Sequence, residues 1–183
     1  MTSFDQDDIP VRPTGVGGEF VVAPATSVDD PKASEAARAL MRFFRECTGG
    51  TRLLRRTDFS PVDIKAYLTN ILILDVIYGD DGLVSDGVIR LMGSNVATYY
   101  GEFTGRLVNE HPSDSGARFV LSARTAVDCR GPVVGHAAQS VPDKSRYSVK
   151  TCWVPIADDS GEIGQMLGHI QLFRLSGEAV PSV

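Results

Sequence analysis

Hydrophobic positions along this chain follow two different periods, and the change from one period to the other predicts its elements. Between residues 71 and 175, apolar residues run together or alternate in five short segments bounded by turn residues, which indicates β-strands. The strongest pattern is Ile71–Tyr78, which is dense in residues that fit a sheet. The predicted strands cover residues 71–78, 88–93, 133–141, 147–156 and 163–175.

Turn residues predict how these strands connect. Residues 79–82 (GDDG) join the first two strands into a hairpin, and residues 142–144 and 158–161 mark turns between the last three. The stretch 95–110 lacks a sustained strand pattern and predicts short helical turns. Successive pairing through short turns therefore predicts an antiparallel sheet that is interrupted by a helical middle.

Two segments place apolar residues at the spacing of a helix. The first covers residues 30–50, where Asp30 is the candidate cap and the glycines at 49–50 end the helix. The second begins after a cap at 113–114 and ends at the Gly-Pro pair 131–132. With the strands, they predict an α+β fold: a five-stranded antiparallel sheet with helices on one face and an extra N-terminal helix.

The N-terminal helix has an apolar stripe that needs a surface to cover it. The stripe includes Leu40, Met41 and Phe44 together with several alanines. Either the helix packs back on its own domain or it pairs with a second copy of the chain, and the sequence leaves both options open. The second option predicts a homodimer in which Leu40, Met41 and Phe44 are the anchors.

The domain organisation follows from these elements and from composition. Before residue 30, prolines and glycines are scattered among acidic residues, which indicates an irregular arm in which residues 19–23 are a candidate edge strand. The predicted parts are an arm (1–29), a helix (30–50), a compact domain (51–176) and a tail (177–183). A chain of 183 residues with 43% hydrophobic and 22% charged residues is ordinary for one globular domain.

Net charge bears on the partners. At −5, the chain lacks the excess of Lys and Arg that binding to phosphate backbones requires, so we expect no nucleic acid. One local basic cluster consists of Arg52, Arg55 and Arg56. Asp58 is close enough in sequence to pair with it, so we expect a salt-bridged turn there.

Cysteine usage and the N-terminus predict the compartment. Cys47, Cys129 and Cys152 are an odd number without CxxC spacing, which indicates neither a disulfide framework nor a zinc site. No apolar run has the length of a membrane span, and the acidic start is not a signal peptide. We therefore expect a cytoplasmic protein without a membrane span or a metal site.

Several short motifs recur in an order that resembles a PAS domain, and in particular the alphaproteobacterial single-domain PAS family once described as a domain of unknown function. The motifs are RTDFSP (56–61), YL (67–68), LDV (74–76), IRLMGS (89–94), YGEFTGR (100–106) and VPI (154–156). The resemblance implies a sheet with strand order 2-1-5-4-3. It also implies a role in sensing or in protein association.

The cofactors of other PAS proteins are not expected here, and the cofactor is unknown. Haem-binding PAS domains use a histidine, but His111 precedes Pro112 and is expected to lie in a loop. Cys129 is superficially similar to the flavin-reactive cysteine of light-sensing PAS domains. Because the pair 131–132 replaces the Phe-Leu of that motif and Cys129 ends the long helix, we expect neither haem nor flavin.

Candidate ligand residues are those that place a polar or aromatic group near the expected cavity. They are Arg90, Tyr99, Tyr100, Arg118, His136 and Trp153. Arg90 also faces Asp75 across the first hairpin, where an ion pair is expected. The sequence contains no nucleophile with a base and no catalytic carboxyl pair in a recognised motif, so we identify no catalytic residue.

Three functional hypotheses remain open. The leading one is a non-enzymatic PAS sensory module that acts through an unknown signalling partner, with a small-molecule ligand as a candidate occupant of its cavity. Since no output domain follows Leu175, output is expected to pass through a surface. The alternatives are a small enzyme of the cone-shaped isomerase or hot-dog thioesterase type, which needs a deep pocket with an Asp or Glu of raised pKa, and a ligand-free interaction domain with a filled core.

Overall fold

Strands and helices alternate along the chain in the order that the hydrophobic pattern predicts. The computed structural model describes residues 9–11, 20–137 and 147–174. The strands are β1 (Ile9–Val11), β2 (Phe20–Pro24), β3 (Leu54–Arg55), β4 (Ile71–Tyr78), β5 (Val84–Met92), β6 (Val133–Ala137), β7 (Tyr147–Ala157) and β8 (Ile163–Arg174). The α-helices are α1 (Glu35–Thr48), α2 (Ser94–Tyr100) and α3 (Ser115–Cys129). Short 3-10 helices lie at Arg56–Asp58, Lys65–Asn70 and Val108–Glu110.

The strands form one sheet in the order β1-β2-β6-β7-β8-β4-β5. All pairs along this path are antiparallel, and β3 pairs in parallel with β7 beyond the end of β6. Among the five strands predicted from sequence, the order is β5-β4-β8-β7-β6, which is 2-1-5-4-3 along the chain. The expected α+β, PAS-like fold class is confirmed.

Alternate residues of the central strands belong to two separate hydrophobic cores, because successive side chains of a strand point to opposite faces of the sheet. On one face, Leu72 and Leu74 pack with Phe119 of α3, and we call this the α3 face. On the other, Ile71 and Ile73 pack with Leu40 of α1, and we call this the α1 face. Of the two options that the sequence leaves open for the N-terminal helix, the structure shows the first, in which α1 packs back on its own domain.

Helix α1 packs on the sheet of its own chain. Leu40, Met41 and Phe44 are at most 4% exposed, in a cluster with strand residues of the α1 face. The outward positions include the exposed charged residues Arg42 and Arg45, which offer no apolar stripe. The three predicted dimer anchors are therefore corrected to core residues, because their side chains are already buried within the chain. The homodimer itself stays a prediction.

The start of α1 also differs from the expectation. Ser34 is the cap, and its hydroxyl accepts a hydrogen bond from the Ala37 amide at 3.2 Å. Asp30 instead ties the preceding loop by accepting from the amides of Thr26 (2.9 Å) and Lys32 (2.8 Å). Burial works to raise the pKa of Asp30, but these hydrogen bonds outweigh it and hold the pKa below its ordinary value. The helix ends at Gly49, as expected, with φ of 62°.

Other boundaries shift by a few residues. Strands β1 and β2 belong to the segment expected to be an irregular arm, and β2 pairs with β6 rather than forming the edge of the sheet. The ends of the predicted strands at 138–141 and 175, the turn at 142–144 and the tail lie outside the described residues. Within the described part of the chain, no helix is long and apolar enough to cross a bilayer.

Candidate functional site

A cavity of about 70 Å³ lies between the α3 face of the sheet and the helices that cover it. Four residues of its lining have mainly polar side chains: His111, Ser115, Arg118 and Thr151. The remaining lining is aromatic or aliphatic, with the Tyr100 hydroxyl and the Trp153 N–H as further polar groups. It consists of Phe20, Leu72, Ile89, Met92, Val96, Tyr100, Phe103, Val108, Phe119, Ala137, Val149, Trp153 and Ile170. A mostly apolar wall with a few polar groups is typical of small-molecule sites.

Strand geometry brings the lining residues together. Val149, Thr151 and Trp153 of β7 all line the cavity because they are two residues apart and share one face. In β5, Ile89 and Met92 both line it although they are three residues apart. A β-bulge makes this possible, because the register shifts between the pairs Ile73–Leu91 and Leu74–Ile89.

Glycines in the sheet make room for two aromatic rings of the wall, those of Trp153 and Phe20. A Cβ at Gly168 would lie 2.4 Å from Cζ3 of Trp153, and one at Gly135 would lie 2.9 Å from Cζ of Phe20. Both rings therefore lie directly on the backbone of a neighbouring strand. Trp153 in turn packs against Phe119 of α3, with ring centroids 5.4 Å apart.

The hydrogen bonds of His111 fix its tautomer. Its Nδ1 accepts from the Ser113 amide at 3.2 Å, and an amide only donates. Its Nε2 lies 2.9 Å from the Tyr100 carbonyl oxygen, which only accepts, so Nε2 carries the proton. The imidazole is consequently neutral with both nitrogens engaged, and this arrangement leaves no lone pair directed at an iron atom.

Arg118 places a positive charge in the cavity wall. Its side chain is 11% exposed and lies on α3, one turn after Ser115. The guanidinium Cζ is 5.7 Å from the centre of the Phe20 ring, and Nη2 is 3.9 Å from Oδ2 of Asp114. Burying a charge is costly unless polar groups or counter-charges surround it, so the position of this cation is the strongest chemical feature of the site.

The structure brings together three of the six candidate ligand residues. Tyr100, Arg118 and Trp153 line the cavity. Tyr99 lies beside Tyr100, with ring centroids 4.8 Å apart, but it is not part of the lining. His136 is exposed on β6, where it pairs with Val21, and it also lies outside the lining.

Arg90 is the third candidate that lies away from the cavity. It is the extra residue of the β5 bulge and has no partner in the register of β4. Its Nε donates to Oδ2 of Asp75, so the expected ion pair across the hairpin is confirmed. Asp75 also accepts a hydrogen bond from Gln165 Nε2 at 2.7 Å, which links three adjacent strands.

Sequence reasoning missed several residues of the lining. Val149 and Thr151 follow from Trp153 by the two-residue period of a strand, so a signal for them was present. Ser115 precedes Arg118 by three residues and shares its helix face. Phe20 carried no comparable signal, because it reaches the cavity only through the pairing of β2 with the distant strand β6.

The α1 face holds the most strongly perturbed titratable groups. Cys152 and His169 are a directly opposed pair of β7 and β8, and both are at most 4% exposed. Burial lowers the pKa of His169 to about 4. Burial, followed by the nearby charge of Asp30, raises the pKa of Cys152 to about 12, so its thiol stays protonated and unreactive.

Two other sequence features have structural roles outside the cavity. Arg52 forms a bidentate pair with Asp58, at 2.6 and 2.8 Å, which confirms the salt-bridged turn expected at the basic cluster. Cys129 ends α3 and is not part of the cavity lining, so it does not take the place of a flavin-reactive cysteine. Among the described residues, no group of three His, Cys, Asp or Glu side chains is arranged to hold a metal ion.

No protein-family model matches this chain, and no curated protein matches it. The fold is similar to a solved structure described as "Structure of an RNA-binding Light-Oxygen-Voltage Receptor", with a TM-score of 0.47 and 14% sequence identity. The similarity covers 87% of this chain and 39% of that receptor, so this chain spans well under two thirds of the receptor's length. A likeness of this size assigns neither a ligand nor an activity to this chain.

Proposed function

We propose that this chain is a sensory PAS module, of the alphaproteobacterial single-domain type, that binds a small ligand in its cavity and signals to a partner protein. The observation that carries the proposal is the cavity itself, with Arg118 in a wall that is otherwise mostly apolar. The strand order and the motifs that resemble the family support the same assignment. In this proposal, ligand binding changes the packing of α2 and α3, and the partner protein recognises the altered surface.

The size of the cavity supports a small ligand. Pockets for drug-sized molecules span about 300–1,000 Å³. The cavity of about 70 Å³ has room for roughly five water molecules, if each needs about 15 Å³. A haem or a flavin would require α3 to move off the sheet, so the proposed ligand has only a few heavy atoms.

The two alternatives receive less support. An enzyme of the isomerase or thioesterase type needs a carboxyl group of raised pKa in the pocket. No Asp or Glu lines the cavity among the described residues, and the described carboxyl groups with clearly shifted pKa values are shifted downward. A ligand-free interaction domain predicts a filled core, which describes the α1 face better than the α3 face.

Native mass spectrometry of freshly purified protein tests the proposal. We expect a small mass adduct on the wild type that is absent from Ala137→Leu, which fills the cavity from β6. Val21→Leu on the neighbouring strand β2 is the matched control and keeps the adduct. Protein of unliganded mass, with cavity methyl signals that a library of small metabolites leaves unmoved in NMR spectra, would overturn the proposal.

A further inference from the structure

Among the described residues, the cavity lining carries one side chain that is always charged, the guanidinium of Arg118. Arg118 is the only Lys or Arg among the described residues of the lining, and no described acid shares that lining. Asp114 lies outside that lining and forms an ion pair with Arg118, with Oδ2 3.9 Å from Nη2. A guanidinium is planar and matches the two oxygens of a carboxylate, so one anionic group on a ligand suits this wall.

A hydroxyl group lies on the same side of the cavity as this charge. Ser115 and Arg118 are three residues apart on α3, which places them on one helix face. The Ser113 hydroxyl lies 2.7 Å from Nδ1 of His111 and donates to it, so the Ser115 hydroxyl donates its own proton to Ser113 at 2.6 Å. Arg118 is therefore the group on this side that donates to an anion. His111 completes this side with a neutral, fully engaged ring that adds no charge.

The opposite walls are apolar and close together. Val96, Val149 and Ile170 come from α2, β7 and β8, and all three are less than 8% exposed. These walls favour a hydrocarbon group and disfavour a second charge, because a charge there would lose water without gaining a partner. The cavity volume of about 70 Å³ limits that hydrocarbon group to a few carbons.

We propose that the ligand is a short-chain monocarboxylate, whose carboxylate binds the guanidinium of Arg118 while its hydrocarbon chain lies against Val96, Val149 and Ile170. This inference rests on the proposed ligand-binding function. The size of the cavity selects acids of roughly two to four carbons, since each added methylene needs space that a cavity of about 70 Å³ lacks. Inorganic phosphate has the wrong charge density for these walls.

Titration of the full chain in a buffer free of carboxylates tests the ligand class. The probes are acetate, propionate, butyrate and octanoate, with propionamide as the neutral match for propionate and inorganic phosphate as a second anion. We expect saturable shifts of cavity methyl signals with propionate or butyrate, weaker binding of octanoate, and at least about tenfold weaker binding of propionamide. Arg118→Met is expected to lose at least about tenfold in affinity for propionate, and Arg118→Lys less.

The matched control is Arg42→Met. Arg42 is exposed on α1, pairs with Asp29 at 3.7 Å and lies outside the lining, so its loss is expected to leave propionate binding unchanged. Equal binding of propionate and propionamide, or binding of phosphate alone, would overturn the carboxylate assignment while the ligand-binding function stands. If none of the probes and no library compound binds, both proposals fail. Because these comparisons use wild-type protein, they decide the question even if a variant at position 118 does not fold.

Discussion

The two faces of the sheet use similar aliphatic residues and reach different results. On the α1 face, Leu40 and Phe44 of a strongly amphipathic helix fill the space above Ile71 and Ile73. On the α3 face, the helix buries mainly small residues, and a cavity remains near its N-terminal end. The larger side chains of α1 therefore fill the space above the centre of the sheet, whereas the small residues of α3 leave a cavity there.

The two faces of the sheet also bury different titratable groups. His169 and Cys152 on the α1 face are held in their neutral forms by burial. Arg118 on the α3 face is a guanidinium, which stays charged in proteins. The α1 face also buries a charge at Asp30, but hydrogen bonds from the amides of Thr26 and Lys32 hold that carboxylate within a loop. Arg118, by contrast, lies in the wall of a cavity, where its charge can attract a ligand.

The largest expected loss of stability comes from removing a buried side chain of the α1 face. Phe44→Ala removes a ring that is 4% exposed and 5.3 Å from the ring of Phe59, so we expect a loss of about 3–5 kcal/mol in the free energy of unfolding. Phe43→Ala on the same helix, where the ring is only half-buried, is expected to lose clearly less. Urea denaturation measures both. Equal losses would contradict the assignment of Phe44 to the core.

Lowering the pH disturbs the α1 face without a mutation, because it favours protonation of His169. His169 has a folded pKa of about 4, whereas an unfolded histidine titrates near 6.5. Between these values the unfolded chain binds more protons, so the free energy of unfolding falls as the pH is lowered from 6.5 to 4, by about 3 kcal/mol. Above pH 7 both states are neutral, and the group adds no pH dependence.

The contribution of His169 is isolated by comparing urea denaturation of His169→Leu with that of the wild type across pH 4 to 7. We expect the variant to lose the steep part of the dependence in this range, while His136→Gln, at an exposed position, keeps it. Parallel curves for the wild type and His169→Leu would show that folding does not lower the pKa of His169.

An intermediate effect is expected from the α3 face. Gly168→Ala places a Cβ 2.4 Å from Cζ3 of Trp153, so the ring has to shift in the cavity wall at a cost of about 1–3 kcal/mol. Trp153 is the only tryptophan of the chain, so its fluorescence reports the shift directly. Gly164→Ala on the same strand meets nothing within 4 Å and is the control. Unchanged emission in Gly168→Ala would show that the ring is placed elsewhere.

The smallest expected effect concerns the bulge that lets Ile89 and Met92 line the cavity together. Asp75→Asn keeps the shape of the side chain and removes its charge, so the pairing with Arg90 weakens. Both groups are partly exposed, which limits the loss to less than about 1 kcal/mol. Asp80→Asn in the exposed hairpin loop is the control for thermal denaturation. A loss of several kcal/mol would show that the pair holds the bulge in place.

The strands that form the centre of the sheet were predictable because both faces of the sheet are covered. Ile71–Tyr78 reads as a nearly continuous apolar run for this reason, and its boundaries are those of β4. The cap of α1 was not predictable from its first turn alone. Asp30 and Ser34 are both good caps, and only the loop contacts of Asp30 to Thr26 and Lys32 show that Ser34 has the role.

Three of the six candidate ligand residues line the cavity, and most of the lining was not predicted. Tyr100, Arg118 and Trp153 were identified because each places an aromatic or charged group near the expected cavity. Arg90 was placed wrongly because a bulge changes which side chains face the cavity, and residue patterns do not show a bulge. The same lack of a local signal explains why Phe20 was missed.

The position of β4 in the sheet also has a consequence for the order in which the protein folds. Strand β4 is bonded to β5, the next strand along the chain, and to β8, where Asp75 meets Gln165 across 90 residues of sequence. During synthesis, the β4–β5 hairpin therefore leaves the ribosome long before its second neighbour exists. The edge of β4 that pairs with β8 stays unpaired until β8 is made, so closure of the sheet is a late step of folding.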